Sequence, residues 1–187
     1  MTSTFCVTPL LVAALLCIHS EQAASKEFSN EAKEKCIGAI NQRTAAFVAE
    51  DWAALEKRAN AYLTTCNGAF GDQNLSEAIE QLAISNIALN RPSDGLNQAQ
   101  LCIETYYSNS SCHVQKVIAL IALRRTDEAR RSLVGAIKLI LHNIESTERE
   151  LVRPLDALDR ELLESNLKMF NAQLGHARAL QEKLSIE

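Results

Sequence analysis

The sequence predicts an all-α chain: stacked antiparallel helical hairpins closed by a long C-terminal capping helix. Three observations predict it. Six Gly and three Pro in 187 residues are too few to turn the many short strands of a β-sandwich or barrel. Apolar residues return at spacings of three and four, the helical period, along nearly the whole chain. Four cysteines fall in two pairs, each symmetric about a predicted turn. The overall balance, 47% apolar and 22% charged, excludes a disordered chain. Nineteen Lys+Arg against 23 Asp+Glu give a net charge of −4, and aromatics make up 5%. That leaves neither the basic surplus nor the stacking surface a nucleic-acid partner would need.

The first 24 residues read as a secretory signal peptide. Leu10-Leu11-Val12-Ala13-Ala14-Leu15-Leu16-Cys17-Ile18 is an apolar run, followed by the small pair Ala23-Ala24 and the charged Ser25-Lys26-Glu27. The positive charge that usually precedes such a run is missing here. A membrane anchor needs about 20 apolar residues, and the stretch from 5 to 18, interrupted by Thr8 and Pro9, is shorter. Residues 25–187 are therefore expected to form one helical-repeat domain. The expected location is exported, periplasmic in a bacterium and otherwise secreted, with no stable membrane insertion after cleavage.

Helices are expected at about 28–49, 52–66, 75–90, 94–107, 112–124, 127–144 and 155–184. The first follows Ala32, Cys36, Ile37, Ile40, Ala45, Phe47 and Val48. The pattern breaks near Glu50-Asp51 and resumes through Trp52, Leu55, Ala59, Tyr62 and Leu63, ending at Cys66-Asn67-Gly68. Cys36 and Cys66 are equidistant from residue 51. In an antiparallel helix pair such positions lie side by side, within the roughly 5.5–6 Å Cα separation of a disulfide. Cys102 and Cys112 are likewise symmetric about residue 107, just before Ser108-Asn109-Ser110-Ser111. The expected bridges are Cys36–Cys66 and Cys102–Cys112. The remaining histidines, His113, His142 and His176, lack ligand spacing to these cysteines, so no metal is expected.

The middle of the chain repeats at a shift of 34. Ile84-Ser85-Asn86-Ile87-Ala88-Leu89-Asn90-Arg91 aligns with Ile118-Ala119-Leu120-Ile121-Ala122-Leu123-Arg124-Arg125, with Asp94 opposite Glu128 and Gly95 opposite Ala129. Small residues recur at Gly95, Ala99 and Cys102 and at Ala129 and Ala136, with Leu133 between, as close helix crossings require. Over about 75–145 the chain resembles the tetratricopeptide repeat family, whose unit is a 34-residue helix–turn–helix. Residues 28–66 follow it loosely, because the connector 67–74 breaks the register. The resemblance implies a stack of helical hairpins and a protein-binding role.

Residues 117–123 are all apolar, and such a stretch must be buried on every side. Leu151, Leu155, Leu158, Leu162, Leu163, Leu167, Phe170, Leu174, Ala177 and Leu184 offer an apolar strip to cover it. Capping the stack is the expected role of residues 150–187. Dimerisation through the same strip is the second reading, against which Ala177 and Gln181 interrupt the seam.

Four arginines, Arg124, Arg125, Arg130 and Arg131, gather at one turn of an acidic chain. They could receive a partner's carboxylates, or merely complement a helix C-terminus. No nucleophile elbow, zinc-binding or phosphate-binding motif occurs, so neither catalysis nor a cofactor is expected. The function expected is binding of another protein or peptide, as an adaptor, assembly factor or inhibitor. The alternative is a disulfide-bridged carrier of a small apolar ligand.

Overall fold

The computed structural model describes residues 28–186. The expected signal peptide lies outside the described residues. Seven helices follow in order: α1 (Asn30–Val48), α2 (Trp52–Thr65), α3 (Asp72–Ala88), α4 (Pro92–Thr105), α5 (Ser110–Ala122), α6 (Thr126–Leu151) and α7 (Ala157–Ile186). The described residues contain no strand. Polar side chains start four of these helices, α7 through Asp159 N–H donating to Asp156 Oδ1 (2.8 Å). Ala32 N–H donates to Ser29 Oγ (3.2 Å), Ala54 N–H to Asp51 Oδ1 (3.0 Å), and Ser111 N–H to Asn109 Oδ1 (3.1 Å). Each satisfies a first-turn amide that no helical carbonyl can reach. Pro92 opens α4, where its missing N–H costs nothing.

The helices pair as α1–α2, α3–α4 and α5–α6, with α7 against α6. Contacts also join α3 to α5 and α5 to α7, so the first helices of successive hairpins lie side by side, as in a stacked repeat. The repeat is written in the turns. Each hairpin turns on one residue in the left-handed region: Glu50 (φ 54°), Asn90 (φ 60°) and Arg124 (φ 57°). The bonds Arg91 N–H to Asn86 O and Gly95 N–H to Arg91 O recur as Arg125 N–H to Leu120 O and Ala129 N–H to Arg125 O. At the first turn they recur as Asp51 N–H to Ala46 O and Leu55 N–H to Asp51 O. From Asn90 to Arg124 is 34 positions, whereas Glu50 to Asn90 is 40. The longer interval comes partly from the connector 66–71 and partly from an added first turn on α3, which begins at Asp72 rather than near 75.

Small residues set the crossing distances. Gly95, Ala99 and Cys102 of α4 are buried, as are Ala129 and Ala136 of α6. A Cβ on Gly95 would stand 2.5 Å from Ile87 Cγ1 and 3.0 Å from Ala83 O. The isoleucine can move; the carbonyl, fixed in α3, cannot. Overpacking of this kind costs about 1–3 kcal/mol, partly offset by the roughly 1 kcal/mol that Ala gains over Gly in a helix. Gly95→Ala is therefore expected to lower the urea midpoint without changing its slope, a net loss of about 1 kcal/mol. An unchanged or raised midpoint would mean that the α3–α4 crossing is looser than described.

Two sequence expectations meet differences. The sixth helix runs to Leu151, not to 144. Ile144 packs on the core and Thr147 is buried, while Glu145 and Glu148 face solvent, so the acidic run occupies the outer face of a continuing helix rather than ending it. In residues 117–123, Val117, Ala119 and Leu120 are buried, Ile118, Ile121 and Leu123 half-buried, and Ala122 is exposed. Central α5, flanked by α3, α4, α6 and α7, thus keeps one edge open to solvent.

Candidate functional site

The structure places the Cys36 and Cys66 sulfurs 2.11 Å apart, with a Cα separation of 5.7 Å. Those of Cys102 and Cys112 are 1.99 Å apart, with a Cα separation of 6.1 Å. All four residues are buried. The first bridge joins α1 to the end of α2; the second ties α4 to α5 across the turn at 106–109.

The four arginines do not converge on one receptor. Arg125 forms a bidentate pair with Glu128, two bonds of 2.7 Å. That contact lowers the Glu128 carboxyl and raises Arg125 from their ordinary values. Arg130 donates through Nε and Nη2 to Leu184 O (3.0 and 2.6 Å), fastening α7 to α6. Arg124 occupies the left-handed turn position. Arg124, Arg125 and Arg131 share a shallow surface recess with Asp127 and Glu128, so carboxylates of this chain already answer part of their charge.

A groove of about 380 Å³ opens elsewhere, walled by three elements. The first half of α3 contributes Asp72, Gln73, Ser76, Glu77 and Glu80. The turn and start of α5 contribute Tyr106, Ser108, Asn109, Ser110 and Ser111. The third wall is α7, with Asn166, Met169, Phe170 and Gln173. The walls are cross-tied: Ser110 Oγ–H donates to Gln173 Oε1 (2.6 Å), and Ser111 Oγ–H to Glu80 Oε1 (2.5 Å). Asn109 does double work. Its carbonyl oxygen caps α5 while Nδ2 reaches Ser76 Oγ (3.3 Å) and Glu80 Oε2 (3.4 Å). The added turn of α3 supplies Asp72 and Gln73, so the break in the 34-residue register builds part of this wall.

The groove is acidic. Asp72, Glu77 and Glu80 line it, and no Lys, Arg, His or Cys does. Behind it Arg43 of α1 is almost fully buried. Its Nη1 donates to Asn74 O (3.2 Å), its Nη2 stands 3.6 Å from Glu77 Oε2, and its guanidinium lies 4.7 Å from the Tyr62 ring centroid. Burial pulls Arg43 below its ordinary value, with Glu77, Tyr62 and Glu80 opposing the shift. One cation at the back, set against Glu77, leaves two of the three carboxylates in excess.

Burial pushes the Glu80 carboxyl above the ordinary carboxylate range; the Ser111 and Asn109 hydrogen bonds pull it part of the way back, and Glu77 adds to the rise. Such a group costs stability where it must ionise in the folded state. Stability is thus expected to fall as pH rises from the unfolded carboxyl value, about 4.3, through the raised folded value. Glu80→Gln removes this slope, so across that window its stability relative to wild type should improve with rising pH in urea titrations. A difference that stays constant with pH would show that Glu80 ionises as freely folded as unfolded.

Sequence reasoning missed Arg43 and this groove. Arg43 sits seven residues after Cys36 and three after Ile40, a charge within the apolar stripe of α1, and that is the signal that marks it. The sequence stripe ran instead to Ala45, Phe47 and Val48, all exposed in the structure, because among the described residues α1 is covered mainly by α2.

Among the described residues, no three His, Cys, Asp or Glu side chains converge to hold a metal ion, and no helix is long and apolar enough to cross a membrane. No protein family and no curated protein matches the sequence. Among solved structures the chain is similar to the first tetratricopeptide domain of Spaghetti (RPAP3) bound to the HSP90 peptide SRMEEVD. The identity is 11% and the TM-score 0.49, over 76% of this chain and 98% of that one. That likeness extends to no particular residue.

Proposed function

We propose that the chain is an exported, non-catalytic helical-repeat protein that binds a segment of another protein in the groove between α3, the start of α5 and α7. The observation that carries this reading is the groove itself. It is open to solvent, large enough for several side chains, and walled by polar, acidic and apolar residues drawn from three elements. Mixed walls of this kind suit a peptide, whose backbone and side chains need both hydrogen bonds and apolar contact. The carrier alternative calls for an enclosed apolar cavity, and an open trough with three carboxylates is a poor one. Non-catalysis is supported by the groove's content: of its five hydroxyls Ser76, Ser110 and Ser111 are engaged by Gln73 O, Gln173 and Glu80, and no histidine lines it to activate Ser108 or Tyr106. Export is supported by the two buried bridges, since disulfides persist in oxidising compartments. The expected leader at 1–24 belongs to the same proposal.

The test is site-specific photocrosslinking in the native host, with the disulfides intact. A photoreactive residue replaces Ser108, exposed at the groove rim, or Lys138, exposed on α6. A discrete protein adduct from position 108 and none from 138 is expected. Adducts from 138 alone, or from neither position, would refute the groove as the binding surface.

A further inference from the structure

We infer that the groove selects a basic amphipathic segment of its partner, with Lys or Arg side chains set against α3 and large apolar side chains set against α7; this deepens the binding role proposed above and rests on it. Two independent features of the opposite walls carry it. On α3, Asp72, Glu77 and Glu80 face the groove, and no cationic side chain lines it. On α7 the wall does not end with the groove's floor. Leu158, Leu162 and Met169 follow one another at spacings of four and seven, which puts them on one side of the helix. Met169 is itself a wall residue, and the exposures of the three are 75%, 58% and 46%. The inward side of α7 is already used, through Leu174, Ala177 and Leu184, on the core with α5 and α6. A large apolar stripe left in water beside the groove is the signature of a covered surface.

Charge decides the occupant. A second copy of this chain would bring its own α7 to the stripe, and with it both signs of charge, Asp156, Asp159, Glu161 and Glu164 beside Arg160 and Lys168, against an acidic α3 wall. A helix of mixed charge gains less from that wall than a basic segment does, and the stripe on α7 supplies the apolar contact. At 1.5 Å per helical residue, Leu158 to Gln173 spans about 22 Å, enough for a segment of about 15 residues if helical.

The probe is a fluorescein-labelled Leu/Lys amphipathic peptide of about that length, titrated into the full chain with bridges intact, beside its Leu/Glu counterpart. The Leu/Lys peptide is expected to bind and to weaken with added salt, and the Leu/Glu peptide not to bind. Asp72→Asn with Glu77→Gln, and separately Leu158→Ser with Leu162→Ser, should each weaken binding by about tenfold. Glu145→Gln with Glu148→Gln, on the outer face of α6, should not. Asp72→Lys gives a second charge variant that touches no contact of Arg43. Equal binding by the two peptides, or equal loss from the α6 control, would overturn the inference. If position 108 still crosslinks a protein in that case, the binding role survives and only the partner's chemistry is wrong.

Discussion

Removing residues 152–187 is expected to leave a chain that no longer unfolds cooperatively and that binds hydrophobic dye in native buffer. Leu174, Ala177 and Leu184 of α7 share one core with Val114, Val117 and Leu120 of α5 and Leu133, Ala136 and Ile140 of α6. Burying the two leucines contributes about 3–6 kcal/mol, at roughly 1.5–3 kcal/mol each, before counting the partly buried Phe170 and Leu180. A domain of this size has about 5–15 kcal/mol in all. The deletion also removes the Leu184 carbonyl that both Arg130 nitrogens bond and the Gln173 side chain that accepts from Ser110. The lost cover, more than the lost bonds, dominates the result. A truncated chain that is monomeric, soluble and sharply cooperative would show that α5 and α6 close the stack unaided.

Opening the Cys36–Cys66 bridge is expected to cost more than opening Cys102–Cys112, although both are equally buried. The two loops span 30 and 10 residues. By the chain-entropy relation these lengths correspond to about 3.6 and about 2.7 kcal/mol. The first bridge also sits where the stack is thinnest. Among the described residues α1 leans mainly on α2, and the small cluster there is built around Cys36, Tyr62, Cys66 and Ala78. Urea titrations of Cys36→Ala/Cys66→Ala and Cys102→Ala/Cys112→Ala check the order. A costlier second pair would mean that the α4–α5 turn, not the terminal hairpin, depends more on its staple.

The hairpins were legible in the sequence because their determinants are local. Turn position follows from where apolar periodicity breaks, and Cys36 and Cys66 about residue 51 report the fold-back that brings α1 beside α2. The 34-residue interval is visible because Asn90 and Arg124 take the same left-handed turn and because Gly95 and Ala129 meet the same crossing. The groove was not legible. Its ties join residues 31 and 63 positions apart, Ser111 to Glu80 and Ser110 to Gln173, and no spacing rule connects α3 to α7 through a turn. Ser76, Glu77 and Glu80 lie together in the first half of α3, and only stacking turns their face toward α7. The surroundings of the arginines were hidden for a related reason. Their clustering in sequence is real, but Glu128 and the Leu184 carbonyl, one from the same turn and one from the far end of the chain, already occupy Arg125 and Arg130.

The α3 wall leans on the α1–α2 hairpin and the α5 wall on α4, so two of the groove's three walls depend on these fold-backs. Proteolysis of the purified, unreduced chain followed by mass mapping of linked peptides tests that arrangement most directly. The expected linked pairs are Cys36 with Cys66 and Cys102 with Cys112. A link between hairpins, such as Cys36 with Cys102, or four free thiols, would contradict it.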